Sequence, residues 1–228
     1  MKTILKSSAI ILLFINAYLP AQSMDQSFII KGNLSLPLGQ YAENDYSDHA
    51  GFANLGYGGG LEFESRFGIS PVKWFISSDI IINYFDEDKF EDMIYETSGL
   101  LPSINSDPNI NIPTFIGLKF VGELTPSIEF QISGGAGLNI SYPSNYEITI
   151  TNIPQSGTGN AKNDPTTSFG FKVGGSLVVN KIFFQFCYIN LSEPSYNGYL
   201  YFPNGTKQKS DFKQPISMML FSIGINIL

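Results

Sequence analysis

The chain has 228 residues, 43% hydrophobic and 14% aromatic, with a formal charge of −7, which is enough for one domain with a sizeable buried surface. That acidic balance argues against nucleic acid as a partner, because phosphate backbones are bound through clustered Lys and Arg. Cys187 is the only cysteine, so neither an intrachain disulfide nor a cysteine metal cluster can form.

At the start, Lys2 and Lys6 precede the apolar run Ala9 to Ile15, and Pro20, Ala21 and Ser23 follow. This pattern predicts a secretory signal peptide over residues 1–22, with one domain over residues 23–228. Cutting near Ala21 removes Lys2 and Lys6, leaving 11 basic against 20 acidic residues and a charge of −9. A membrane-spanning helix needs roughly 20 apolar residues, and no stretch of the chain offers them.

From there the sequence repeats one unit of alternating polarity, rich in β-branched and aromatic residues and bounded by turn residues. Strands are predicted at about 27–37, 56–67, 73–85, 111–121, 126–141, 167–179, 181–191 and 215–228. The connections alternate in length: short near Gly68–Val72, Gly122–Thr125 and Asn180–Lys181, long at about 38–55, 86–110, 142–166 and 192–214. Pro143, Pro154, Pro165, Pro194 and Pro203 all fall in the long connections, where a missing N–H breaks no ladder. Short turns on one rim and long loops on the other predict an eight-stranded antiparallel up-and-down transmembrane β-barrel, with periplasmic turns and extracellular loops.

Within strands the faces separate. Ile128, Phe130, Ile132, Ala136, Leu138 and Ile140 lie opposite Glu129, Gln131, Ser133 and Asn139. Tyr57, Leu61, Phe63 and Phe67 lie opposite Glu62, Glu64 and Arg66; Phe169, Phe171, Val173, Leu177 and Val179 lie opposite Lys172. Over 181–191 both faces are apolar, Ile182, Phe184, Phe186 and Tyr188 against Phe183, Gln185, Cys187 and Ile189, so alternation assigns no lumen side there.

Period-two patterning fits a soluble, lipocalin-like barrel and a lipid-embedded one equally, so charge and aromatic placement must decide. The charges opposite the apolar faces are Lys31, Glu62, Glu64, Arg66, Asp79, Lys119, Glu129 and Lys172, four of each sign. An eight-stranded barrel has an interior just wide enough for side chains, so these eight are expected to fill the lumen as a paired network and to plug it. Phe67, Trp74 and Phe120 fall toward the short turns, and Tyr84, Phe85, Tyr142, Phe169 and Tyr188 toward the long loops, as in two interfacial girdles.

On these features, with the Gly-rich runs at Gly56–Leu61 and Ser133–Leu138 and the strand that ends the chain, the sequence resembles the small outer-membrane β-barrel families of Gram-negative bacteria. These are the OmpA and OmpX type and the porin-like barrel domain, and the likeness covers the whole mature chain. It implies export to the outer membrane and contact with outer-membrane lipid; a monomer is expected. Members often end in an aromatic residue; here the end is Leu228, with Met219, Phe221, Ile223, Ile225 and Ile227 on the other face.

Chemistry is sparse. His49, the only histidine, sits near Asp45 and Asp48 in the first long loop and reads as a solvated residue. A lipid-modifying enzyme would have to draw on His49, Ser78 and Asp79, with Asp79 placed near mid-barrel. Asp86, Glu87, Asp88, Glu91, Asp92, Glu96 and Asp107 against Lys89 give the second long loop a charge of −6. Carboxylates suit calcium, but the spacing matches no calcium loop and reads as an ordinary acidic loop. The glycosylation-type triplets at Asn33, Asn139, Asn190 and Asn204 are read as chance. No cofactor, metal or catalytic residue is expected. The predicted function is a non-enzymatic barrel with a plugged polar lumen, presenting loops for envelope integrity, adhesion or an extracellular or envelope protein partner. The alternative is a narrow porin-like channel for small solutes.

Overall fold

A computed structural model describes residues 26–44, 50–66, 70–151, 157–202 and 206–228. The predicted signal peptide, His49 with Asp45 and Asp48, and Phe67 lie outside these residues.

Eight strands close into an antiparallel barrel: β1 (Gln26–Leu38), β2 (Ala53–Arg66), β3 (Val72–Phe85), β5 (Asn109–Thr125), β6 (Ile128–Tyr142), β9 (Thr166–Val179), β10 (Ile182–Asn190) and β13 (Ser217–Asn226). Each pairs with its neighbour in sequence among the eight, and β1 pairs with β13 to close the ring, from Ile29↔Asn226 to Leu38↔Ser217. Closure removes the free edges that an open sheet would carry, and each strand is at least as long as the roughly nine residues a bilayer requires. The two-residue turn between β9 and β10 places Asn180 at φ 56°, a left-handed conformation that Asn tolerates.

The faces alternate throughout. Leu34, Tyr57, Ile116, Leu118, Ile132, Leu138, Phe169 and Ile223 point outward and are each half or more exposed. Their strand neighbours Asn33, Ser35, Lys119, Ser133 and Ser222 point inward and are buried. On β10 it is Phe183, Gln185, Cys187 and Ile189 that face inward. Such an apolar exterior is stable against hydrocarbon and costly against water.

The long connections are structured, contrary to the plain loops expected. They contain α1 (Glu87–Ser98), β4 (Pro102–Ser106), β7 (Tyr146–Ile150), β8 (Gly157–Asn163), β11 (Ser195–Tyr201) and β12 (Lys207–Lys213). The five strands form a second sheet in the order β12-β11-β8-β7-β4. It continues the barrel wall: four residues back from Ile110 and four on from its partner Tyr142 stand Ser106 and Tyr146, also partners. The β6–β9 register passes into β7–β8 in the same way, and β9–β10 into β8–β11, while β11–β12 is offset by one residue from β10–β13. Five of the eight walls thus extend beyond the rim as a single curved fin.

Candidate functional site

Inside the barrel the charged side chains form an alternating chain. From the short-turn end, Arg66 meets Glu123 (3.6 Å) and Glu129 (3.8 Å); Lys73 meets Glu129 (3.5 Å) and Glu64 (3.4 Å). Lys119 bridges Glu64 and Glu62, and Lys31 links Glu62 (3.3 Å) to Asp79 (3.2 Å). Lys172 branches from Glu62 at 3.2 Å and reaches Ser77 Oγ at 3.1 Å. The chain crosses six strands and ties them together through groups that are buried or nearly so except at its Glu123–Arg66–Glu129 end.

All eight residues singled out from the sequence face this interior, joined by Lys73 and Glu123, which the sequence reasoning missed. With them the set holds five charges of each sign. Lys73 stands at the first turn of β3 beside Trp74, and Glu123 at the end of β5, where strand boundaries read from sequence are least certain.

Neutral groups complete the filling. Asp79 Oδ1 accepts from Asn33 Nδ2 (2.8 Å), and Gln185 and Gln131 accept from Lys31 (3.4 Å) and Lys119 (3.2 Å). The Phe75 ring lies beneath both Lys119 and Lys172, with Nζ at 5.5 and 4.8 Å from its centroid. It reaches them because β5 and β6 carry Gly117 and Gly135 opposite it, where a Cβ would come within 3 Å of the ring.

The lumen is not polar throughout, as had been expected. Toward the loop end, Ile81, Cys187, Ile189, Met218 and Leu220 form an apolar core roofed by Tyr41 and Tyr196. Tyr41 Oη accepts from Asn111 Nδ2 (3.2 Å), and Tyr196 Oη pairs with Ser141 Oγ (2.7 Å). Burial raises the Tyr196 phenol to about 12.

A vestibule lies at each end. The one at the loops, about 330 Å³, is lined by Phe52, Phe85, Phe90, Tyr146, Phe212 and Gln214 among others, none of them charged. Phe85 therefore belongs to this mouth, stacked on Tyr146 at 6.1 Å, and not to an outer girdle. The other, about 160 Å³, opens at the short turns beside Glu64, Lys73 and Glu129. Between them Glu62, Lys119, Lys172 and Phe115 are wholly buried.

On the outer surface Trp74 packs with Phe63 (5.4 Å) near the short turns, and Tyr57 with Tyr84 (5.9 Å) near the rim. Ser78 is also on this outer face, hydrogen-bonded to Thr114 (3.0 Å), whereas Asp79 faces inward, so these two cannot share a catalytic site.

The acidic second loop is a helix. Asp86 caps α1 by accepting from the Lys89 backbone N–H (3.3 Å), Glu87 and Asp88 occupy its first turn, and Gly99 ends it at φ 68°. Two of its carboxylates seal the edge of the fin: Glu91 accepts from Ile104 N (2.6 Å), and Glu87 from Ser106 N (2.6 Å) and Oγ (2.8 Å). The next outward-facing position on β4 is Pro102, which has no N–H. Among the described residues, no three His, Cys, Asp or Glu side chains cluster so as to hold a metal ion.

No protein-family model matches this chain, and no curated protein does. Among solved structures it is similar to a major outer membrane protein from Thermus thermophilus, at 9% identity and a TM-score of 0.49, over 89% of this chain and 100% of that one. It is similar to Neisserial surface protein A at 7% identity and 0.47, over 90% and 100%. It is also similar to Ail, the attachment invasion locus protein of Yersinia pestis, at 13% identity and 0.43, over 88% and 95%.

Proposed function

We propose that this chain is an exported bacterial outer-membrane protein, non-enzymatic and non-conducting, whose barrel is a rigid base for the fin and for its contacts with another envelope or extracellular protein. The observation that carries this reading is the inverted polarity of a closed barrel whose interior holds a complete alternating ion chain. An apolar belt requires lipid around it. Ten charges matched five to five require no passing ion or solute to satisfy them, and side chains between the two vestibules are fully buried. The fin adds support, since five registered strands hold a surface above the membrane more firmly than separate loops would.

Protein refolded in detergent should run faster on gels unboiled than boiled and should show no discrete conductance in planar bilayers. A water-soluble monomer without detergent would remove the membrane reading, and regular conductance steps would transfer the function to solute passage.

A further inference from the structure

The fin has two chemically opposite flanks. On its β12 side, Lys162, Lys207, Lys209 and Lys213 stand on the outer face with Tyr199 and Tyr201; Lys207 Nζ lies 3.5 Å from the Tyr199 ring centroid, and Lys209 pairs with Asp211 (2.7 Å). These are four of the mature chain's lysines, and apart from Lys89 and Lys181 the remainder lie in the lumen. On the β4 side, α1 turns Glu87 and Glu91 toward the sheet and leaves Asp88, Asp92, Tyr95 and Glu96 exposed on its opposite side.

The two flanks are opposite in charge. Asp88, Asp92 and Glu96 recur every four residues, about 6 Å along a helix; Lys207 and Lys209 stand about 6.7 Å apart on one strand face and Lys213 about 13 Å further on, with Asp211 between them paired to Lys209. A row of partners crosses the whole fin from Glu87 through Ser106, Tyr146, Ala161 and Leu200 to Gln208, so helix and lysine ladder stand at the two ends of one continuous sheet. The flanks are also on opposite sides of the molecule: β12 rises above β13, and α1 stands beside β5, which lies four places from β13 in a ring of eight.

We propose that the fin joins copies of this chain head to tail, the exposed acidic side of α1 of one docking on the β8–β11–β12 lysine face of the next. This rests on the membrane reading, which makes all copies point the same way. Unlike patches on opposite sides generate an open row, whereas a self-matching patch would stop at a dimer. The occupant is a second copy because each flank supplies the charge that the other lacks, and both carry a tyrosine beside it, Tyr95 on α1 and Tyr201 on the lysine face. The single-chain barrel expected from the sequence is then the unit of a row and not the final state.

The test is cysteine cross-linking in native membranes, with heat modifiability confirming the barrel in every variant so that failure of the membrane reading is seen separately. Chains carrying both Asp92→Cys and Lys209→Cys should give a ladder of dimers, trimers and longer species on mild oxidation; either substitution alone should give at most a faint dimer. Reversing the lysines (Lys207→Glu, Lys209→Glu, Lys213→Glu) in both a tagged and an untagged copy should abolish their co-purification, and adding Asp88→Lys, Asp92→Lys and Glu96→Lys to both should restore it. Salt at 0.5 M should cut the wild-type association several-fold, since exposed pairs are screened. A double-cysteine variant that stays monomeric, a dimer from one cysteine as strong as the ladder, or pull-down indifferent to charge reversal overturns the proposal; binding of the lysine face to anionic lipid vesicles with no copy-to-copy cross-link would assign that face to lipid instead.

Discussion

Glu62 is the residue on which the interior converges, because its two carboxylate oxygens serve Lys31, Lys119 and Lys172. Glu62→Gln keeps the shape and removes the charge, leaving three buried ammonium groups to share Glu64 and Asp79. Breaking a buried pair by removing one partner costs about 3–5 kcal/mol, so the urea midpoint of unfolding in detergent should drop sharply. Adding Lys172→Met should recover part of the loss, since the two sites are coupled. Alternation along β2 is what separates Glu62 and Glu64 from Leu61 and Phe63, and for this reason the interior charges are legible in the sequence. Their partners are not: nothing in sequence spacing says that Lys119 of β5 spans Glu62 and Glu64 of β2, because that pairing depends on strand order and stagger around the ring. Tyr196 escaped for a similar reason, being a loop tyrosine by pattern and a buried lid in space. A phenol kept neutral by burial supports the fold fully below pH about 10, its ordinary value, and that support is lost as pH rises through about 12. Thermal unfolding followed by circular dichroism should therefore show a fall in midpoint between pH 10 and 12 that is reduced in Tyr196→Phe.

At the scale of elements, the eight barrel strands were readable because most keep a period of two between turn signals and the one over 181–191 is a continuous apolar run, while the fin was not, because its strands are short and lie in polar, Pro-punctuated stretches. Some signals were there. Asp86 followed by Glu87 and Asp88, with Gly99 at the far end, is a helix start and stop that the excess of acid obscured. The Asn204-Gly205 pair between Tyr201 and Lys207 is a hairpin signal in sequence. What no local pattern carries is the second use of α1, whose Glu87 and Glu91 act as edge strand partners for β4. Hydrogen bonds to charged groups contribute about 1.5–3 kcal/mol each. Replacing both by Ala should speed amide exchange at Ile104 and Ser106 by about tenfold or more, at 1.4 kcal/mol per tenfold. Exchange at the β6–β9 amides should stay as slow as in the wild type.

For the whole molecule, the barrel and the fin share one continuous hydrogen-bond network, yet the barrel does not depend on it. The ring ladder β10–β13 is complete from Ile182↔Ile225 to Asn190↔Ser217, below the residue offset that separates it from β11–β12. The ion chain takes no member from the fin, its residues coming from β1, β2, β3, β5, β6 and β9. Replacing residues 193–214 by a short turn should therefore leave a protein that inserts, shifts on boiling and still passes no current. It would lose Tyr196 and Phe212, so the vestibule at the loop end should open and the apolar core beneath become accessible, which labelling of Cys187 by a small maleimide would report. Slow labelling in the wild type and fast labelling in the trimmed chain, both without conductance, would place the seal in the mid-barrel ions and the shield over Cys187 in the fin. Conductance on trimming would place the seal in the fin instead, and the alternating ion chain would then be a scaffold for the strands without closing the lumen.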